Sequence, residues 1–185
     1  MRIAIVGAVA AAALFVVTAA SADPVTGGKT AFHPDQDTFE GFADMSISVG
    51  ATGAARDGRN AVNIPIKGGD IGEGPKGSIE HKGGLVFAQN TSSGEIVKFT
   101  QFTIEIAASG KTKLFAKSEH SEVRFMDLDI SDATISGSAG TDLKIKNAEA
   151  SLGKQGAAVL TEAFDFPFGK GIPMGTMTIK ASLTS

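Results

Sequence analysis

The chain has 185 residues, a formal net charge of −3, twelve phenylalanines and no cysteine, tryptophan or tyrosine. Without cysteine there is no disulfide, thiolate metal ligand or cysteine nucleophile, so an apolar core alone must hold the fold. The charge is mixed and mildly acidic with no basic run, which argues against nucleic acid. Phenylalanine has no polar edge and reads as core, which argues against exposed aromatic platforms for sugars.

Arg2 precedes an almost wholly apolar run, Ile3 to Ala20, and Ala20-Ser21-Ala22 supplies small side chains ahead of Asp23-Pro24. This pattern predicts a Sec-type signal peptide over 1–22, cleaved after Ala22, and hence a secreted or extracytoplasmic protein of the cell envelope. A retained anchor is the alternative, because the run approaches the roughly 20 residues that span a bilayer. No later segment is apolar enough to cross a membrane, so no transmembrane segment is expected after cleavage. About 163 residues then remain, which suits one domain.

Residues 23–37 read as an irregular N-terminal segment with at most one edge strand around 29–32, and 38–185 as a single β-rich domain. Phe39 and Phe42 share a face in a short helix over 38–43. Met45, Ile47 and Val49 alternate as in a half-buried strand. Val62, Ile64 and Ile66 do the same, and Pro65 places that strand at an edge or leaves it paired on one side. Ile79, His81, Leu85 and Phe87 share one parity, which turns His81 toward the core if the strand runs through Gly83-Gly84.

Two long segments change parity midway. Val97 and Phe99 give way to Phe102, Ile104 and Ile106, and Val123 and Phe125 to Met126, Leu128 and Ile130. Each change predicts a β-bulge or a strand passing between sheets. Leu143 and Ile145 continue the strand pattern. Leu152, Gly156, Val159, Leu160, Ala163 and Phe164 follow at helical spacing, with Ser151 as N-cap. Met177, Ile179, Ala181 and Leu183 alternate as a C-terminal strand. The predicted fold class is all-β: an antiparallel β-sandwich or distorted barrel with bulged long strands and one amphipathic helix near 152–164.

His81, on the core parity, is the one ligand-binding candidate: an inward imidazole suits a metal or haem iron, with Met126 or Met174 as helpers. The competing role is a structural histidine hydrogen-bonded to backbone. His33 and His120 lie in polar surroundings. Asp127, Asp129 and Asp132 lack the glycine and terminal glutamate of an EF-hand loop and read as a solvated strand face, so no metal site is assigned. The glycine-rich stretch 68–77 lacks a Gly-Lys-Ser/Thr ending. No Gly-x-Ser-x-Gly occurs and no spacing selects a catalytic triad, so no catalytic residue is assigned and the chain reads as no enzyme.

Val62-Asn63-Ile64-Pro65-Ile66-Lys67-Gly68-Gly69, then Gly77-Ser78-Ile79-Glu80-His81-Lys82-Gly83-Gly84-Leu85, together resemble a pattern of secreted bacterial proteins, many of them actinobacterial. Phe99 to Ile106, Leu114 to Ala116, Met126-Asp127-Leu128, Ala163-Phe164 and Gly171-Ile172-Pro173-Met174-Gly175-Thr176 extend the resemblance over most of 38–183. Some members of this group resemble the HtaA domain of surface haem-uptake proteins. The resemblance implies a β-rich fold outside the cytoplasm. It also implies haem held by a tyrosine supported by histidine, and this chain has no tyrosine.

The expected function is thus an exported, non-enzymatic binding or cell-envelope protein of HtaA-like type. Its partner would be a small ligand or an envelope component, with no cofactor assigned and haem disfavoured. Two alternatives stand beside it: a haem or metal carrier using His81, and an apolar-ligand binder with a cavity lined by Phe99, Phe102, Phe125 and Phe164.

Overall fold

Apolar side chains at every second position commit one face of each strand to the interior, and the described residues form twelve strands and two helices. The computed structural model describes residues 22–184 apart from 73–75, 92–93, 108, 110, 120 and 138–140. The signal-peptide reading covers 1–22, of which 1–21, like His120, lie outside the described residues. In chain order the elements are β1 (Asp23–Pro34), α1 (Gln36–Asp44), β2 (Ile47–Thr52), β3 (Arg56–Asp57), β4 (Val62–Gly72), β5 (Lys76–His81), β6 (Gly84–Gln89) and β7 (Ile96–Ile106). There follow β8 (Lys111–Ser118), β9 (Ser121–Asp129), β10 (Thr134–Ser136), β11 (Leu143–Leu152), α2 (Lys154–Phe164) and β12 (Pro173–Leu183).

Strands β7, β5, β4, β1, β12, β11, β9 and β8 pair antiparallel in that order, and β8 pairs back onto β7. This closes an eight-stranded barrel, which removes its sheet edges. β2 and β6 continue from the first half of β7, β3 pairs with β4, and β10 pairs with β11. The all-β expectation holds in its barrel form.

Both parity changes are bulges. Thr100 and Thr103 of β7 face Lys117 and Phe115 of β8, so β7 carries one extra residue, and Gln101 there has φ 51°. In β9, Arg124 and Met126 face the consecutive Phe115 and Leu114, which leaves Phe125 as the extra residue, and both Phe125 and Met126 are buried. An extra residue resets the alternation, so apolar side chains return to the interior after each bend.

Two readings are corrected. Residues 23–37 are not irregular: β1 runs from Asp23 to Pro34 in the barrel wall, between β4 and β12. Its alternation is hidden by a register shift between Val25 and Gly27, where the buried parity passes from Val25 to Thr30 and Phe32. The short helix read over 38–43 forms as α1, where the Asp35 carboxylate accepts from the Thr38 N–H at 2.9 Å as its N-cap. Ser151 is not a cap. It pairs with Pro173 and Asp127 as part of β11, and Gly153 precedes α2 instead.

Helix α2 closes a gap in the wall. β11 pairs with β9 only over Met126 to Asp129. Beyond that stretch the Arg124 N–H donates to Gln155 Oε1 at 2.6 Å, and the Gly153 N–H donates to the Phe125 carbonyl at 2.8 Å. Backbone groups that a neighbouring strand would satisfy are thus satisfied by the start of a helix. The approach is close: a Cβ on Gly156 would lie 2.5 Å from the Phe125 carbonyl oxygen. Among the described residues the buried apolar core runs from Val25 to Ala181 and the eight barrel strands from Asp23 to Leu183.

Candidate functional site

His81 ends β5 and faces the barrel interior, 2% exposed. β5 and β6 both pair with β7, on either side of its bulge, and Lys82-Gly83 bridges them. Gly83 has φ 85° and accepts the Gln101 N–H at 3.0 Å. A Cβ there would meet the Ala55 nitrogen at 2.4 Å, so only glycine fits the bridge. Ile79, His81, Leu85 and Phe87 are all buried, as their common parity predicts.

Both ring nitrogens of His81 are engaged. Nδ1 lies 3.1 Å from the Phe102 carbonyl oxygen, beside the β7 bulge, and Nε2 lies 2.7 Å from the Thr30 hydroxyl. A carbonyl only accepts, which assigns the proton to Nδ1, and Nε2 then accepts from the Thr30 O–H. Burial pushes the imidazole pKa down from 6.5 to about 4, against the opposing pull of the Phe102 carbonyl. The ring is therefore neutral near pH 7. Its Nε2 lone pair is the atom a metal would take, so a ligand there has to displace Thr30.

Met126 and Met174, the expected helpers, are fully buried on β9 and β12, while the ring contacts Thr30 and Phe102 instead. His33 is exposed, with Nδ1 3.2 Å from the Asn60 carbonyl oxygen. The aspartates read as a solvated face have partners: Asp127 pairs with Arg124 and Lys170, and Asp129 accepts the Ser131 N–H at 2.8 Å. That bond holds the Asp129 carboxyl below its usual pKa.

The phenylalanines form a connected chain through the interior. Phe99 and Phe125 stack with centroids 4.0 Å apart, and Phe102 and Phe87 pack on Phe125 at 5.7 Å and 6.2 Å. Phe42 links Phe87 at 5.6 Å to Phe168 at 5.5 Å, and Phe166 packs on Phe168 at 5.3 Å. Phe166 is 45% exposed, so the chain of rings surfaces between α1 and the segment after α2. Phe164 reaches the same cluster through Phe168, at 6.4 Å, rather than joining Phe99, Phe102 and Phe125. Sequence reasoning missed Thr30 as the partner of His81 because the shift in β1 hid its inward parity. It missed the surface end of the ring chain because α1 and residues 164–168 meet only in the fold.

No protein-family profile matches this chain, and no curated protein matches it. A solved structure does: the C-terminal domain of HtaA from Corynebacterium glutamicum, at TM-score 0.67 and 18% identity, covering 88% of this chain and 99% of that one. At that identity the likeness is one of fold. This chain has an HtaA-like fold, a closed antiparallel barrel with two short helices.

Proposed function

We propose that the chain is an exported, non-enzymatic binding domain of HtaA-like type that works outside the cytoplasm or in the cell envelope. The observation that carries the reading is the fold likeness, which takes in almost the full length of the HtaA C-terminal domain. The leader pattern of residues 1–22 supports the compartment. Neutral, doubly bonded His81 supports a structural role, and the absence of tyrosine speaks against haem held as the resemblance implies. Mass spectrometry of protein purified from its native host tests the reading. A cleaved N terminus and a stoichiometric co-purifying molecule support it. A cytoplasmic protein starting at Met1, or one that turns over the molecule it retains, overturns it.

A second reading is an apolar-ligand binder whose entry is the exposed ring of Phe166, backed by Phe168 and Phe42. An exposed aromatic continuous with buried ones offers an apolar molecule a surface already partly desolvated. Saturable binding of Nile red that weakens in Phe166→Ala supports it. Binding unchanged by that substitution counts against it.

A further inference from the structure

Several outward-facing lysines of this barrel lie opposite carboxylates, while Lys76 and Lys98 face Gly72 and Val86. Lys111, Lys113 and Lys117 of β8 face Asp129, Asp127 and Glu122 of β9, and Lys113 also faces Glu105 of β7. Lys67 of β4 binds Glu80 of β5 at 2.8 Å. Opposite charges across strands stabilise a sheet, and like charges directly opposite destabilise it.

One face instead sets lysine opposite lysine. Lys180 of β12 lies directly opposite Lys29 of β1 on one side and Lys144 of β11 on the other, with Lys146 two residues further along β11. Lys29, Lys146 and Lys180 are exposed and Lys144 is half-buried. At one strand spacing each, the row from Lys29 to Lys144 spans about 10 Å of the barrel wall. The nearest acid in sequence is Asp142, two residues before Lys144. Among the described residues no ion pair includes any of the four lysines. The ammonium group of Lys146, then desolvation, then the ammonium group of Lys180 hold the Lys144 amine below its usual pKa. All this occurs on a chain whose net charge is −3.

Beside Pro65, which lies opposite Lys29 on β4, the row has short side chains around it. Ala31, Thr178, Ser182, Thr134 and Ser136, its neighbours on the same face, are all small. Two grooves at the sheet margins among the described residues, one beside Lys76 and Lys111 and one beside Asp35 and Glu149, include none of the four lysines. A small anion or a threaded polymer needs a cleft to be held. An even row of long cationic side chains on a smooth wall meets a partner that is itself a plane.

We propose that the β1–β12–β11 face docks on the anionic headgroup plane of a phospholipid bilayer through Lys29, Lys180, Lys144 and Lys146. The choice of a membrane rests on the envelope reading above, while the test concerns the patch alone and needs no ligand. Like-charge repulsion within the row falls when lipid phosphates come between the ammonium groups, so the unfavourable pairing becomes favourable on contact. Solubility alone does not call for the arrangement, because lysines spread among carboxylates serve it equally well.

The test is flotation of the chain from Asp23 to Ser185 with vesicles of phosphatidylglycerol in phosphatidylcholine, against pure phosphatidylcholine. We expect binding only to the anionic vesicles, weakening with added salt. K29Q/K144Q/K180Q should bind about a hundredfold more weakly, near fivefold for each lysine. K111Q/K113Q/K117Q, which removes the same number of charges where carboxylates already face them, should stay within a few-fold. Circular dichroism confirms the fold of each variant, and the first triple variant loses repulsion rather than support. Equal binding to neutral vesicles, equal losses in both triple variants, or no binding to anionic vesicles overturns the proposal. So does complete release by soluble polyphosphate at the phosphate concentration of the vesicles, since that marks a free polyanion as the partner.

Discussion

The hydroxyl of Thr30 on β1 lies 2.7 Å from Nε2 of His81 on β5, and β4 runs between the two strands. With Nδ1 bound to the Phe102 carbonyl, this places one neutral imidazole between β1 and the bulge of β7. A histidine held neutral makes the barrel sensitive to acid. Its folded-state pKa, about 4, lies below the ordinary 6.5, so the unfolded chain binds the proton more readily. The stabilisation is fully present above pH 6.5 and is lost as pH falls toward 4. At 1.36 kcal/mol per pKa unit the loss is roughly 3 kcal/mol. Urea unfolding followed by circular dichroism at pH 7 and pH 4.5 should show it, and His81→Gln should flatten the difference. Asp35 and Asp129, whose carboxyls are held low by the backbone N–H groups of Thr38 and Ser131, act in a lower window, below the usual carboxylate range. An equally steep loss from pH 6.5 to 4.5 in His81→Gln would show that another group is responsible.

Thr30→Val keeps the shape of the side chain and removes the donor to Nε2. A buried acceptor left without its partner costs about 1–3 kcal/mol, and the urea midpoint at pH 7 should fall accordingly. Thr30→Ser keeps the hydroxyl and should lose less. A valine variant as stable as the parent would mean that the 2.7 Å contact contributes nothing net.

Two glycines should respond in opposite directions. Gly156→Ala places a Cβ 2.5 Å from the Phe125 carbonyl oxygen and 2.9 Å from its ring, so α2 must lift off β9. The expected cost is about 1–3 kcal/mol, as for other overpacked sites. Gly41→Ala, in α1 with nothing within 4 Å of the new methyl, should stabilise by about 0.5–1 kcal/mol. Thermal melts followed by circular dichroism decide both, and a Gly156→Ala protein that melts with the parent would remove the case for tight docking of α2.

Hemin titration should give no tight, saturable Soret shift. A tyrosinate suits ferric iron and the chain has none, while a lone imidazole offers a different site and is already bonded at both nitrogens. Without tryptophan or tyrosine, near-ultraviolet absorbance is weak and any haem band stands clear. A shifted band of high affinity that disappears in His81→Ala would promote the haem-carrier alternative.

Much of the barrel was legible because strand periodicity survives local defects. The jump from Phe99 to Phe102 and the adjacent pair Phe125-Met126 announced the two bulges, and the common parity of Ile79, His81, Leu85 and Phe87 placed the histidine indoors. β1 was not legible, since Gly27-Gly28 carry no side chains to mark a face and the register shifts beside them. The cap of α2 was misread because Ser151, a good capping residue, is claimed by the ladder with Pro173 and Asp127. The lysine row was invisible for a different reason. Positions 29, 144, 146 and 180 make no basic run in sequence and become neighbours only across strands.

The pairing of β1 with β12 sets the order in which the barrel can be completed. Val25 lies opposite Leu183, so the wall joins the first strand to the last. A chain emerging N terminus first offers β1 its partner β4 early, but the seam stays open until β12 has been made. Contacts so distant along the chain slow folding. Until that moment β1 and β11 both present an unpaired backbone edge, the state in which such a chain is most prone to wrong pairing and most dependent on a holding factor.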